Sequence, residues 1–327
     1  MKRLLSLLLI ATLIFTFTSC GKDSADTQDN ANSVTSGEKQ STQEILEDFV
    51  YEHVIIVGID GMGTFNLKAD TPNLDKIFAD GALTNVGKTI SPTATAACWL
   101  SSFTGINIQE TLSVRDNPGS TASINRKYTK AVEDFPSIFS MTHDKYPDAK
   151  IGSFVTWVQL NEYCISDEGY VLKKNPKGDD EKLKNEAVKY ILEEKPTLLF
   201  LHFDSVDAKG HSVGYESEEY LAQLSVVDGY LGEIYEAIEG AGILDTTLLI
   251  VATDHGGTGT VHGASTEDAV ITITVGFKGK TIAPIKDFEY SICDLSAIIV
   301  EALDLEPSSA WKGLSEPPKA PEGLFPK

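Results

Sequence analysis

His53-Val-Ile-Ile-Val-Gly-Ile59 runs straight into Asp60-Gly61. Six apolar or β-branched residues in a row after His53, with no polar alternation, make a poor surface strand. They suit a strand buried on both faces, as in a parallel sheet covered by helices. Four further runs have the same character: Lys150 to Val155, Thr197 to Phe203, Thr247 to Thr253 and Val270 to Phe277. Between them lie stretches with helical patterning: Thr71 to Asp80, Thr95 to Thr104, Phe135 to Lys145, Asp179 to Glu194, Ser217 to Glu239 and Asp294 to Leu303. This alternation predicts an α/β fold with a mainly parallel central sheet sandwiched by helices. Ligands in such sheets gather at the carboxyl ends of the strands. Three of the runs lead there to acid: Asp60, the segment Asp204 to Asp207, and Asp254. The polar segments Leu112 to Lys130 and Trp157 to Lys177 exceed ordinary connectors and are expected as small cap or rim insertions.

The chain has 327 residues, 42% of them hydrophobic, which is ample for a large core. Its formal net charge is −21, which excludes a general nucleic-acid binder lacking a basic face. Met1-Lys2-Arg3 followed by the apolar run Leu4 to Phe17 reads as an export signal, too short to span a bilayer comfortably. Its end, Phe17-Thr18-Ser19-Cys20-Gly21, resembles a bacterial lipobox, in which Cys20 would be lipidated and anchor the chain to a membrane; an ordinary signal cut near Ser19 is the alternative. Either predicts export. Residues 21–43 are polar and cannot offset their ordering entropy, so a flexible tether is expected before a single domain spanning 44–327. Cys98, Cys164 and Cys293 form no Cys-x-x-Cys and are expected as free thiols.

Chemistry concentrates in four short motifs. Gly58-Ile-Asp60-Gly-Met-Gly63 sets a carboxylate between glycines at a strand end. Asp207-Ala-Lys-Gly-His211 spaces a carboxylate and an imidazole so that they converge if the segment turns. Asp254-His255-Gly-Gly257 and Val261-His262-Gly263 follow one strand within a single loop system. Together these supply three Asp and three His, enough for two divalent ions, with mixed N/O donors favouring zinc. Asp204 competes with Asp207 for the second carboxylate, and the spacing to His211 favours Asp207. His202 reads as a packed or bracing histidine, and His53 and His143 as solvated ones. Gly87-Lys-Thr89 lacks the first glycine of a phosphate-binding loop. A hydroxyl among Ser91-Pro-Thr93-Ala-Thr95, at the start of a helix, is the candidate nucleophile.

In this order the four motifs resemble the alkaline phosphatase superfamily, and within it the type I phosphodiesterase / nucleotide pyrophosphatase family. Thr71-Pro-Asn-Leu-Asp75, Phe135-Pro-Ser-Ile-Phe139 and Trp311-Lys-Gly add to the likeness. The resemblance implies that Asp60, Asp254 and His255 hold one metal together with the nucleophile, and that Asp207, His211 and His262 hold the other. Counting back from Thr104-Gly105 selects Thr95 as nucleophile, with Thr93 as fallback. It also implies a two-metal hydrolase of small phosphate esters, with a phosphothreonine intermediate. Where the family carries an asparagine three residues after the nucleophile, this chain has Cys98, a weak donor, followed by Trp99; both are candidates to face the substrate. That departure weighs on the nucleotide assignment more than on the reaction class. A phosphomonoesterase or phosphonate-ester hydrolase on the same site, and an inactive surface-binding lipoprotein of the same fold, are the alternatives. Nothing in these motifs sets an oligomeric state.

Overall fold

The computed structural model describes residues 51–111, 128, 130–165, 169–263, 272–280, 282 and 284–325. The export signal, Cys20 and the tether lie outside the described residues, as does nearly all of the 112–130 insertion. No helix among the described residues is long and apolar enough to cross a membrane.

The strands are β1 (His53–Ile59), β2 (Ala82–Lys88), β3 (Ile151–Val155), β4 (Val171–Lys174), β5 (Leu198–Phe203), β6 (Thr247–Ala252), β7 (Thr272–Lys278) and β8 (Ile285–Lys286). They form one sheet in the order β4-β3-β5-β1-β6-β7-β2-β8. Pairing is parallel from β4 through β6, and β7 runs antiparallel to both β6 and β2. The apolar opening run is the centre of this sheet. Val54 and Ile56 enter the hydrophobic core on one face, and Ile55, Val57 and Ile59 the core on the other. A strand with two buried faces has no use for polar alternation, which is why its sequence shows none.

The helices that position the site are α1 (Pro72–Phe78), α2 (Thr95–Thr104), α3 (Ile108–Thr111), α4 (Ile138–Lys145), α5 (Gln159–Tyr163), α6 (Asp180–Glu194), α7 (Ser205–Val213), α8 (Glu218–Gly240) and α9 (Asp294–Ala302). Their starts follow capping chemistry: Ser137, Asp179 and Ser217 each accept a backbone N–H from the first turn of α4, α6 and α8. α8 buries Tyr220, Leu224, Val227, Leu231, Ile234 and Ile238, one helical stripe, and leaves its glutamates outside. From that stripe the buried Asp228 accepts the backbone N–H groups of Asn73 (2.9 Å) and Leu74 (2.8 Å), so a carboxylate from α8 caps α1.

Three expectations need correction, those for the 157–177 segment, His53 and His143. The 157–177 segment is not an irregular rim alone: it contains α5 and the edge strand β4. Gly87-Lys88 lies in β2, where Gly87 pairs with Ile273. His53 is buried, with Nδ1 2.8 Å from the Pro196 carbonyl oxygen, and His143 is half-buried and stacked on Tyr170 with ring centroids 4.2 Å apart. Cys98, Cys164 and Cys293 are free, as expected, with Cys293 only partly buried.

Candidate two-metal active site

β5, β1 and β6 lie side by side and run the same way, so their carboxyl ends come level: Ile59 pairs with Phe203, and Gly58 with Ala252. One step beyond, Asp60 follows β1, α7 springs from β5, and Asp254-His255 follows β6. α7 is an ordinary helix, and its i, i+4 spacing puts Asp207 and His211 on one face, with His211 Nε2 3.2 Å from Asp207 Oδ2. Gly61 makes this convergence possible. Its φ of 69° is left-handed, and a Cβ there would lie 2.5 Å from Asp207 Oδ1. Its backbone N–H donates to Asp254 Oδ1 at 3.2 Å.

Two donor groups result. Asp207, His211 and His262 form one; Asp60, Asp207 and His255 form the other, each with ligand atoms within 4.8 Å of one another. Asp254 joins the second group from the side, its Oδ2 3.2 Å from His255 Nε2. Thus the six side chains expected to meet do meet, and Asp207 faces both groups.

The donor set fits divalent cations. Asp60 and Asp254 are fully buried and Asp207 nearly so, yet no Lys or Arg among the described residues pairs with them. Asp60 Oδ1, Asp254 Oδ2 and His262 Nδ1 are buried with no hydrogen-bond partner. Burial first, and then the neighbouring carboxylates, hold the Asp60 and Asp254 carboxyls well above the usual range. Desolvation pushes His255 and His262 down to about 4, so neither imidazole neutralises the acids. The imidazoles are also oriented for coordination. His255 Nδ1 lies 3.1 Å from the Gly256 carbonyl, and His211 Nδ1 lies 2.8 Å from the Thr260 carbonyl. A carbonyl only accepts, so each Nδ1 carries the proton and each Nε2 presents its lone pair to the acids.

Thr95 stands at this focus. Its Oγ1 is 3.3 Å from His255 Nε2, the same nitrogen that lies 3.4 Å from Asp60 Oδ1. Thr95 is the first residue of α2, not its cap. Ala94 occupies the cap position with no side-chain bond, so no side-chain cap takes the first-turn N–H groups beside the Thr95 hydroxyl. Thr93, the alternative, is buried and its hydroxyl meets no partner. Asp204 stays outside both donor groups. It is partly buried beside Asp207 and Asp180, and desolvation followed by those two acids pushes its carboxyl up to about 7.

Cys98 and Trp99 do not line the site. Both are fully buried on the inner side of α2: the Cys98 thiol accepts from Thr89 Oγ1 at 3.4 Å, and Trp99 packs among Phe103, Phe200 and His202. A helix that turns Thr95 toward the strand ends must turn the residues three and four positions on toward the sheet as well, because one α-helical turn carries them to the same inward side.

Two further side chains brace the carboxylates: His202, expected as a packed or bracing histidine, and Tyr215, which no motif pointed to. His202, the fully buried penultimate residue of β5, has Nε2 2.9 Å from Asp60 Oδ2. Burial pushes its pKa down to about 3, so it is neutral, and it braces one oxygen while Oδ1 stays free. Tyr215 donates its hydroxyl to Asp207 Oδ1 in a short hydrogen bond. No motif contained it.

Comparisons with known proteins bear on the fold and the family. Mouse (Mus musculus) ectonucleotide pyrophosphatase/phosphodiesterase family member 7 is 29% identical over 218 residues, covering 62% of this chain and 49% of the mouse protein. The human (Homo sapiens) counterpart is 26% identical over 226 residues, covering 62% of this chain and 47% of its own. The chain thus spans about half the length of the curated relatives it matches. Among solved structures, murine ectonucleotide pyrophosphatase / phosphodiesterase 5, as an inactive threonine-to-alanine variant in complex with AMP, superposes with a TM-score of 0.65 at 16% identity, covering 78% of this chain and 96% of that one. The lipoteichoic acid synthase LtaP from Listeria monocytogenes gives 0.59 at 16% identity over 79% and 73%. A Vibrio parahaemolyticus protein of the alkaline phosphatase superfamily gives 0.58 at 16% identity over 78% and 66%. These likenesses establish the alkaline-phosphatase-like fold. The profile of the type I phosphodiesterase / nucleotide pyrophosphatase family matches residues 113–283, more than half of the sequence, and the chain belongs to that family.

Proposed function

We propose that this protein is an exported, metal-dependent hydrolase of phosphate esters, acting on phosphodiester or nucleotide pyrophosphate bonds through Thr95. The observation that carries the reading is the Thr95 hydroxyl, 3.3 Å from His255 Nε2, at an uncapped helix N-terminus beside buried carboxylates. Asp60, Asp254, His255 and the Thr95 oxygen would hold one ion; Asp207, His211 and His262 would hold the other, with zinc favoured by the mixed nitrogen and oxygen donors. Bound there, two divalent ions supply the positive charge that lowers a hydroxyl's pKa and balances phosphate oxygens.

The chain's own residues then do the following. The first-turn N–H groups of α2 receive the anionic phosphoryl oxygens and favour negative charge next to Thr95. Thr95 Oγ1, its proton released to solvent water, attacks phosphorus in line with the ester oxygen that departs. The Oγ1–P bond forms as the P–O bond to the leaving group breaks, giving a phosphothreonine. Water then attacks phosphorus from the vacated side; its oxygen bonds to phosphorus as the Oγ1–P bond breaks, and a proton returns to the Thr95 oxygen as the phosphate product leaves. His202 and the Gly61 N–H keep Asp60 and Asp254 oriented throughout. An inactive relative carrying alanine for a threonine is consistent with a threonine at the centre of the reaction.

Residues 1–20 support export, with Cys20 as a lipid anchor and 21–43 as the tether to a catalytic domain over 44–327. The names of the relatives as ecto-enzymes point the same way. The reaction is tested on paired nitrophenyl substrates. The diester, bis-nitrophenyl phosphate, is expected to turn over at least tenfold faster per enzyme than the monoester, and a chelator is expected to abolish both. A monoester preference of that size would move the assignment to a phosphomonoesterase, and chelator-resistant turnover would contradict the ion site.

A further inference from the structure

We infer that Tyr215 is a positioning residue that assigns Asp207 to the His211–His262 ion, by occupying the carboxylate oxygen that would otherwise reach the other ion. This rests on the two-ion reading above.

Asp207 is the one carboxylate shared by both donor groups. Its two oxygens face different ways. Oδ2 lies 3.2 Å from His211 Nε2, whereas Oδ1 faces the turn after β1, where a Cβ at Gly61, the residue after Asp60, would lie 2.5 Å from it. A carboxylate so placed has two options: to bridge both ions, or to serve one of them through a single oxygen. The Tyr215 hydroxyl decides between these, because it donates to Oδ1. One lone pair is committed to that hydrogen bond, and the phenol oxygen stands close to Oδ1 where a second ion would have to approach. Oδ2 is left for the ion that His211 and His262 would hold.

The ring is held tightly enough to enforce this. A Cβ added at Gly210 of α7 would sit 2.6 Å from the Tyr215 ring, and one at Gly257, just after His255, would sit 2.3 Å from it. The ring therefore fills the slot between the helix carrying Asp207 and His211 and the loop carrying Asp254 and His255. Phe65 stacks on it with centroids 6.4 Å apart, Tyr220 tilts against it at 5.4 Å, and the Tyr215 backbone N–H donates to Gly259 at 2.7 Å. A hydroxyl on a ring with so little freedom makes its hydrogen bond at small entropic cost. Tyr220 provides a built-in contrast, since its hydroxyl donates to the Gly61 carbonyl and to no candidate ligand.

The test is zinc affinity of the full chain, measured by competition with a chelating metal buffer. Tyr215→Phe keeps the ring and deletes the hydroxyl. It is expected to weaken one of the two ions by about 10–100-fold, the range for loss of a ligand's hydrogen-bond partner, and to leave the other unchanged. Thermal unfolding of the chelated variant is expected to match that of the chelated wild type, and Tyr220→Phe is expected to leave both ions as they were. Equal zinc affinities in Tyr215→Phe and wild type, or an equal loss in Tyr220→Phe, would overturn the inference. A zinc-loaded crystal structure of the wild type supplies a reading independent of how any variant folds: Asp207 Oδ1 on Tyr215 and Oδ2 on the ion supports it, and Oδ1 bound to an ion overturns it. A wild type that takes up no second ion removes the two-ion reading and this inference together, whereas two ions with an unweakened variant removes the inference alone.

Discussion

Thr95→Ala is expected to lose on the order of 10³-fold or more in turnover while keeping its metal content. Deleting a nucleophile removes the covalent route outright, and what remains is whatever binding and electrostatics give to direct attack by water. Metal content should survive because alanine takes away one oxygen and leaves the three carboxylates and three imidazoles in place. The fold should survive too. Thr95 is the first residue of α2 and makes no capping bond, so alanine, the best helix former, costs the helix nothing. Steady-state turnover and metal analysis on one preparation test both halves. Activity within tenfold of wild type would show that Thr95 is not the nucleophile and would bring Thr93 forward. Lost activity together with lost metal would make Thr95 chiefly a ligand.

Removing metal is expected to be the second large effect, and its reach is wider than activity. Asp60, Asp207 and Asp254 crowd a buried space with no Lys or Arg paired with them among the described residues. Without a cation their mutual repulsion and desolvation oppose folding at neutral pH. An ion held at a thousandfold above its dissociation constant adds about 4 kcal/mol. At about 2–4 °C per kcal/mol for a domain near this size, chelation should lower the unfolding temperature by about 10 °C or more. Returning zinc should restore both the temperature and the turnover. An unfolding temperature that chelation leaves in place would mean that the acids are stabilised by some other means.

Much of this site was readable before any coordinates because buried parallel strands write themselves plainly. His53 to Ile59, Thr197 to Phe203 and Thr247 to Thr253 are largely apolar and buried on both faces, and an acid ends each run: Asp60, Asp204 and Asp254. Strands facing water on one side carry a weaker signal. β2, Ala82-Leu-Thr-Asn-Val-Gly-Lys88, alternates buried and partly exposed residues and looks like a loop with a glycine-lysine turn. β4 has four residues, three of them on the exposed or partly exposed side, too few to establish a period. The direction of β7 could not be read at all, since an apolar run has no polarity and only the connection to its neighbours sets it antiparallel.

The candidate ligands were legible because metal chemistry restricts residue type and spacing. Of the residues that brace them, His202 was read as a packed or bracing histidine and Tyr215 was not read at all. His202 lies in β5 and reaches Asp60 across 142 positions of sequence, and Tyr215 reaches Asp207 only because Gly210 and Gly257 leave room for its ring. Trp99 misled for a related reason. An aromatic residue beside a nucleophile suggests a stacking platform, whereas α2 needs a large apolar side chain to seat it on the sheet, and Trp99 fills that role against Phe200 and His202.

The central claim is that two divalent ions sit among these six side chains with the Thr95 oxygen on one of them. Anomalous scattering at the zinc edge, from crystals of the zinc-loaded chain, tests it most directly. The account predicts two peaks, one bounded by Asp60, Asp254, His255 and Thr95 Oγ1, the other by Asp207, His211 and His262. A single peak, peaks elsewhere, or a Thr95 hydroxyl turned away from both would contradict it.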